Sequence, residues 1–152
     1  MKKSTLYFLI VVINLFSCIK EQTLKNENTP TERTAPSKVE KWQLITMTGS
    51  MANSERTGDD MAWQEYYLLH PDNTFIKSRE ESGNESQAGG TYQFVTLSGD
   101  RYLELNYKTD HRLIGNCTGE AKEYLMIQSE NKMSGTWNIC DGPGLEYKKV
   151  KG

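Results

Sequence analysis

Three cysteines, two histidines and a few paired acids are the residues through which this chain could do chemistry. Cys18 closes an apolar run, whereas Cys117 and Cys140 stand far downstream in polar surroundings. No Cys-x-x-Cys occurs, and neither His70 nor His111 lies at ligand spacing to a cysteine, so no zinc site is expected. Asp110-His111 has the composition of an acid–base dyad. Neighbours on a strand face opposite sides, however, and no Ser or Cys nucleophile motif accompanies the two. Asp59-Asp60 and Glu80-Glu81 lack the ladder of oxygen ligands that a calcium loop presents. The sequence thus points to no catalytic residue, no metal and no cofactor, and to a protein that is not an enzyme.

Cys18 has a more specific setting. Lys2 and Lys3 precede the apolar run 6–13, and Leu15-Phe16-Ser17-Cys18 follows it. The run is far shorter than the roughly 20 residues needed to cross a bilayer and fits the apolar region of a secretory signal. Its end resembles a bacterial lipobox: an aliphatic residue three before the cysteine, a small one just before it, then the cysteine. The resemblance implies removal of residues 1–17, a diacylglycerol on the Cys18 thiol and a cell-envelope location, with the outer membrane the expected one. It also implies a membrane partner held through lipid. Two or three acyl chains anchor firmly where one does not.

Composition narrows the partners. The chain has 152 residues with 18 Lys+Arg against 20 Asp+Glu, and losing Lys2 and Lys3 leaves 16 against 20. A mildly acidic chain without a basic cluster makes nucleic acid an unexpected partner. In an oxidising compartment Cys117 and Cys140 form an even pair once Cys18 carries lipid, so a disulfide is expected. Residues 18–38 are rich in charge, Thr, Asn and Pro and poor in apolar side chains. They cannot bury enough surface to offset ordering, and are expected to form a flexible tether.

From residue 39 onward the pattern is short β-like runs separated by Gly, Asn, Asp and Ser. Strands are expected at 41–48, 61–70, 74–80, 91–97, 101–108, 112–117, 120–128, 133–140 and 145–151. The segments 49–60 and 81–88 are expected to be polar loops, the second of them mobile. In the first strand, alternation places Trp42, Leu44 and Thr46 on one face and Gln43, Ile45 and Met47 on the other. Leu103, Leu105 and Tyr107 should face inward, opposite Tyr102, Glu104 and Asn106. A turn centred between Glu130 and Asn131 puts residue 140 opposite Ala121. A Cys117–Cys140 bridge would then fasten loop 116–119 to the far end of a strand. Turn-length connections imply an all-β, antiparallel up-and-down meander of about eight or nine strands, closing into a small barrel that removes exposed edges.

Trp42, the turn Pro71-Asp72-Asn73-Thr74-Phe75, Gly90-Thr91-Tyr92 and the run Asn131 to Trp137 are similar to landmarks of lipocalin-like lipoproteins of the Bacteroidota type. The resemblance covers residues 39–151 and implies a lipocalin-like barrel as domain 39–152. An eight-stranded barrel can be filled by its own side chains or hold one small ligand. Trp42 and Trp137 are expected to plug and pack the barrel. The strand 61–70 is apolar on both faces, which makes Trp63, Tyr67 and Leu69 the candidate ligand-lining residues. Two function classes follow. One is binding of a small apolar or amphipathic ligand in the cell envelope. The other is a protein-interaction module, an inhibitor or envelope-complex subunit, with a filled barrel and contacts carried by loops 49–60 and 81–88.

Overall fold

The structure, a computed structural model, describes residues 34–151. The expected signal 1–17 and Cys18 lie outside the described residues, as does most of the tether. Eight antiparallel strands form the staves of a closed barrel: β1 (Glu40–Thr48), β3 (Gln64–Leu69), β4 (Thr74–Glu81), β5 (Asn84–Leu97), β6 (Asp100–Tyr107), β7 (Lys122–Ser129), β8 (Lys132–Gly135) and β9 (Gly144–Val150). Each pairs with the next, and β9 returns to pair with β1 from Lys41↔Val150 to Thr48↔Gly144. A two-residue strand, β2 (Arg56–Thr57), adds to the end of β1 through Thr46↔Thr57 and Met47↔Arg56. Among the described residues the only helical elements are two single 3-10 turns, Gly58–Asp60 and Trp137–Cys140.

Local sequence explains the closure. Ser82-Gly83 and Ser98-Gly99 take φ of 52° and 79°, and of 54° and 95°, so both two-residue hairpins have the doubly positive φ that matches strand twist. β5 is the longest strand because it serves two partners in succession. Its first half pairs with β4 as far as Thr74↔Thr91, and its second half pairs with β6 from Gly90↔Tyr107 onward. The handover falls at Gly89-Gly90, where a Cβ would stand 2.7 Å from the Phe75 carbonyl oxygen and 1.9 Å from that of Asn106. Only glycine lets three strands crowd at that corner.

Several sequence expectations are corrected. The segment 81–88 is not an irregular loop but the regular tip of the β4–β5 hairpin. The run 112–117 is not a strand; it belongs to a connection that crosses the barrel end and buries Leu113. The strand expected over 133–140 stops at Gly135 and gives way to the 3-10 turn Trp137–Cys140. In β1 the face that holds Trp42 and Leu44 continues with Met47 rather than Thr46, and these three are buried. A bulge between Leu44 and Thr46 inserts one residue and turns Met47 inward, the usual consequence of a two-against-one pairing. The inward set Leu103, Leu105 and Tyr107 on β6 is as expected.

The strand directions sort the connections between the two barrel ends. One end carries the tight turns 70–73, 98–99 and 130–131 together with the start of β1 and the end of β9. The other carries the long connections 49–63, 108–121 and 136–143. These are the turn end and the loop end below.

Candidate functional site

Alternation along β3, β4 and β7 does more than bury apolar side chains. β3 sends Glu65, Tyr67 and Leu69 inward, β4 sends Phe75, Lys77 and Arg79, and β7 sends Glu123, Leu125 and Ile127. Four ionisable groups therefore meet inside the barrel, toward the loop end. Lys77 Nζ donates to Glu123 Oε1 at 3.1 Å and to the Leu113 carbonyl at 2.7 Å, and lies 3.3 Å from Glu65 Oε1. Arg79 Nε donates to Glu65 Oε2 at 2.6 Å. Two phenols complete the shell: Tyr107 donates to Glu123 Oε2 and Tyr147 to Glu65 Oε1, each at 2.5 Å.

The cluster balances two cations against two carboxylates, which is the condition for charges to survive out of water. Burial, reinforced by Glu123, pushes the Tyr107 hydroxyl well above the ordinary phenol value; burial and Glu65 do the same for Tyr147. Both phenols therefore stay protonated and act as donors. Tyr67, raised chiefly by burial, packs edge-on to Tyr147 at 5.1 Å between ring centroids, with Lys77 Nζ 5.0 Å from its own ring. Every oxygen of Glu65 and Glu123 already accepts a donor or faces a cation. Among the described residues, the buried side-chain polar atoms without a hydrogen-bond partner are Tyr67 Oη, Arg79 Nη2 and Trp63 Nε1, each able to donate.

The connection 108–121 covers this cluster. Its Leu113 carbonyl binds Lys77, and Arg112 reaches across to Glu81 at 3.4 Å and to the Ser86 hydroxyl. The Cys117–Cys140 disulfide then ties the connection to the 3-10 turn, with a Cα–Cα distance of 5.7 Å. The expected staple is present, but it fastens a loop to a helical turn rather than to a strand. Trp137 fits between Gly115 and Gly142, where a Cβ would lie 3.1 Å and 2.3 Å from its ring carbons.

The candidate residues fall as follows. Tyr67 and Leu69 are wholly buried on the inward face of β3, and Trp63 is half-buried beneath Arg79, whose guanidinium sits 4.0 Å from its ring. Trp42 is buried at the turn end and donates to Glu40. Tyr66, on the outward face, lies under Lys41 at 4.3 Å. His111 accepts from the Leu113 backbone N–H, and Glu80 accepts from that of Gly83, so each serves its own loop. Asp59 and Asp60 are exposed in the first 3-10 turn.

Sequence reasoning missed Glu65, Lys77, Arg79 and Glu123. A usable signal was present: Glu65 and Glu123 occupy the inward parity of strands whose other inward residues are aromatic or aliphatic, and Lys77 and Arg79 share the parity of Phe75.

Outside the barrel, the 3-10 turn overhangs the wall of β7, β8, β9 and β1. A cleft of about 400 Å³ runs there, floored by Met126, Ser134, Glu146 and Thr46, which are cross-strand neighbours, and flanked by Ile139. Ile139 is 79% exposed and Met51, on the neighbouring loop, 80%. Comparison with known proteins gives no matching family, no matching curated protein and no matching solved structure.

Proposed function

We propose that the protein is a lipid-anchored, non-catalytic interaction module of the cell envelope, held by Cys18 and engaging a protein partner through the loop end. The observation that carries this reading is the filled barrel. Trp42, Tyr67, Tyr147 and the Glu65–Lys77–Glu123 cluster occupy the interior that a carried ligand would need. An apolar guest there would strip partners from four ionised groups, which disfavours carriage of a small apolar molecule. Ile139, by contrast, offers an exposed apolar side chain at a preformed cleft, and Met51 offers another on the 49–63 connection at the same barrel end, which supports an interface core there.

Native mass spectrometry of the protein solubilised from its own host tests the reading. The expected result is a protein adduct that the double substitution Met51→Asp/Ile139→Asp abolishes while thermal stability is kept. A bound small molecule of a few hundred daltons, present in both proteins, would sink it. The anchor is tested separately: Cys18→Ser should release the protein from membranes and end incorporation of labelled palmitate, and continued labelling would refute it.

A further inference from the structure

The turn end carries a different surface. A groove of about 830 Å³ lies where the chain enters β1 and leaves β9. Lys38, Lys41, Lys148, Lys149 and Lys151 line it, and Glu40 is its one acid. Residues 34–151 contain 13 Lys+Arg against 17 Asp+Glu, so five cations beside one acid make a local inversion of sign. Glu40 is itself engaged by Lys149 at 3.0 Å. Lys38, Lys148 and Lys151 are exposed. Between the lysines the groove is apolar, with Val39, Leu68 and Val150 in its lining and Val39 exposed.

We propose that this groove is the face laid against anionic lipid headgroups of the membrane in which the protein is anchored. Charge complementarity is the first argument: clustered lysines over apolar side chains suit a negatively charged interface, where headgroup attraction and shallow apolar insertion add. Chain connectivity is the second. Residue 38 lies twenty positions after Cys18 and lines the groove itself, so an anchor on Cys18 is leashed to the domain at this face. Twenty residues span at most about 70 Å, which confines the basic rim near the bilayer and raises its effective concentration there. The third is polarity. β1 and β9 run from this groove to the opposite end, so a domain seated on its basic rim directs Met51 and Ile139 away from the lipid. The inference rests on the anchored reading for proximity alone.

The test is lysine footprinting of the mature protein, purified from its host, on phosphatidylcholine vesicles with and without phosphatidylglycerol. An amine-reactive reagent is read residue by residue by mass spectrometry. Labelling of Lys38, Lys41, Lys148 and Lys151 should fall at least about threefold when the anionic lipid is present and recover in high salt. Lys108 and Lys122, near the loop end, should not change. Lys41→Glu/Lys148→Glu should abolish the difference. Equal labelling on both vesicles would overturn the proposal and leave the groove to an acidic protein. The mass of the peptide carrying Cys18 and flotation on phosphatidylcholine alone report the anchor independently, so failure of either reading is visible without the other.

Discussion

Replacing Lys77 by methionine should be among the most damaging single substitutions in the barrel, and its cost follows from the contacts. Methionine keeps most of the volume but removes the charge, the 2.7 Å bond to the Leu113 carbonyl and the contacts with Glu123 and Glu65. Arg79 can still neutralise Glu65, whereas Glu123 is left buried with only the Tyr107 hydroxyl. Breaking a buried pair by deleting one partner costs about 3–5 kcal/mol. For a domain whose total stability is on the order of 5–15 kcal/mol, that is about a fifth or more. Urea unfolding followed by tryptophan fluorescence measures it, with an expected midpoint drop of about 2 M. Lys132→Met is the control, because Lys132 and Glu146 are 2.9 Å apart but both half-open to water. That pair should contribute no more than about 1 kcal/mol, since solvent screens it and holding long side chains costs entropy. Adding Glu123→Gln to Lys77→Met should restore about 1–2 kcal/mol, as the orphaned charge is removed. A Lys77→Met cost no larger than that of Lys132→Met would refute the claim that the cluster is ionised and mutually dependent.

Three further outcomes are expected. Tyr67, Tyr107 and Tyr147 are all raised above the ordinary phenol value, so the folded state holds these protons more tightly than the unfolded chain does. Their contribution is complete below the unfolded value of about 10 and is lost as pH rises beyond it, with a slope of up to about 4 kcal/mol per pH unit for three groups. Phenolate absorbance should show three tyrosines ionising only with unfolding; ionisation of these three at the ordinary phenol pH in the folded protein would contradict the buried shell. Cys117→Ser should lower stability by about 3 kcal/mol for a loop closed over 23 residues, under oxidising conditions only. An equal loss with reductant present would mean the thiols act by packing. Gly90→Ala should cost at least about 2 kcal/mol, because its Cβ meets backbone on β6 rather than a side chain that can move. Calorimetry showing an unchanged melting temperature would place the strand handover elsewhere.

Much of the architecture was legible because a strand's side-chain period is local. Alternation in 101–108 fixes which face of β6 is wet, and Ser98-Gly99 marks the turn that precedes it, whatever the rest of the chain does. Errors arose where distant chain decided the outcome. The β1 bulge depends on pairing with β9, about a hundred residues away, and the strand expected over 133–140 is cut short where Trp137 must fit against Gly115 and Gly142. The hairpin tip 81–88 reads as loop in the sequence because its polar residues lack a buried face, yet strand pairing needs only backbone.

What the sequence by itself determined is the class and the pieces: an all-β meander, its turns, an even cysteine pair, and an apolar run ending in Cys18. Tertiary structure alone decided what fills the barrel. Glu65, Lys77, Arg79 and Glu123 are separate charged residues in the sequence, and each alone would be placed in water. Closure brings β3, β4 and β7 around one axis, and only then do four charges too costly to bury singly become partners.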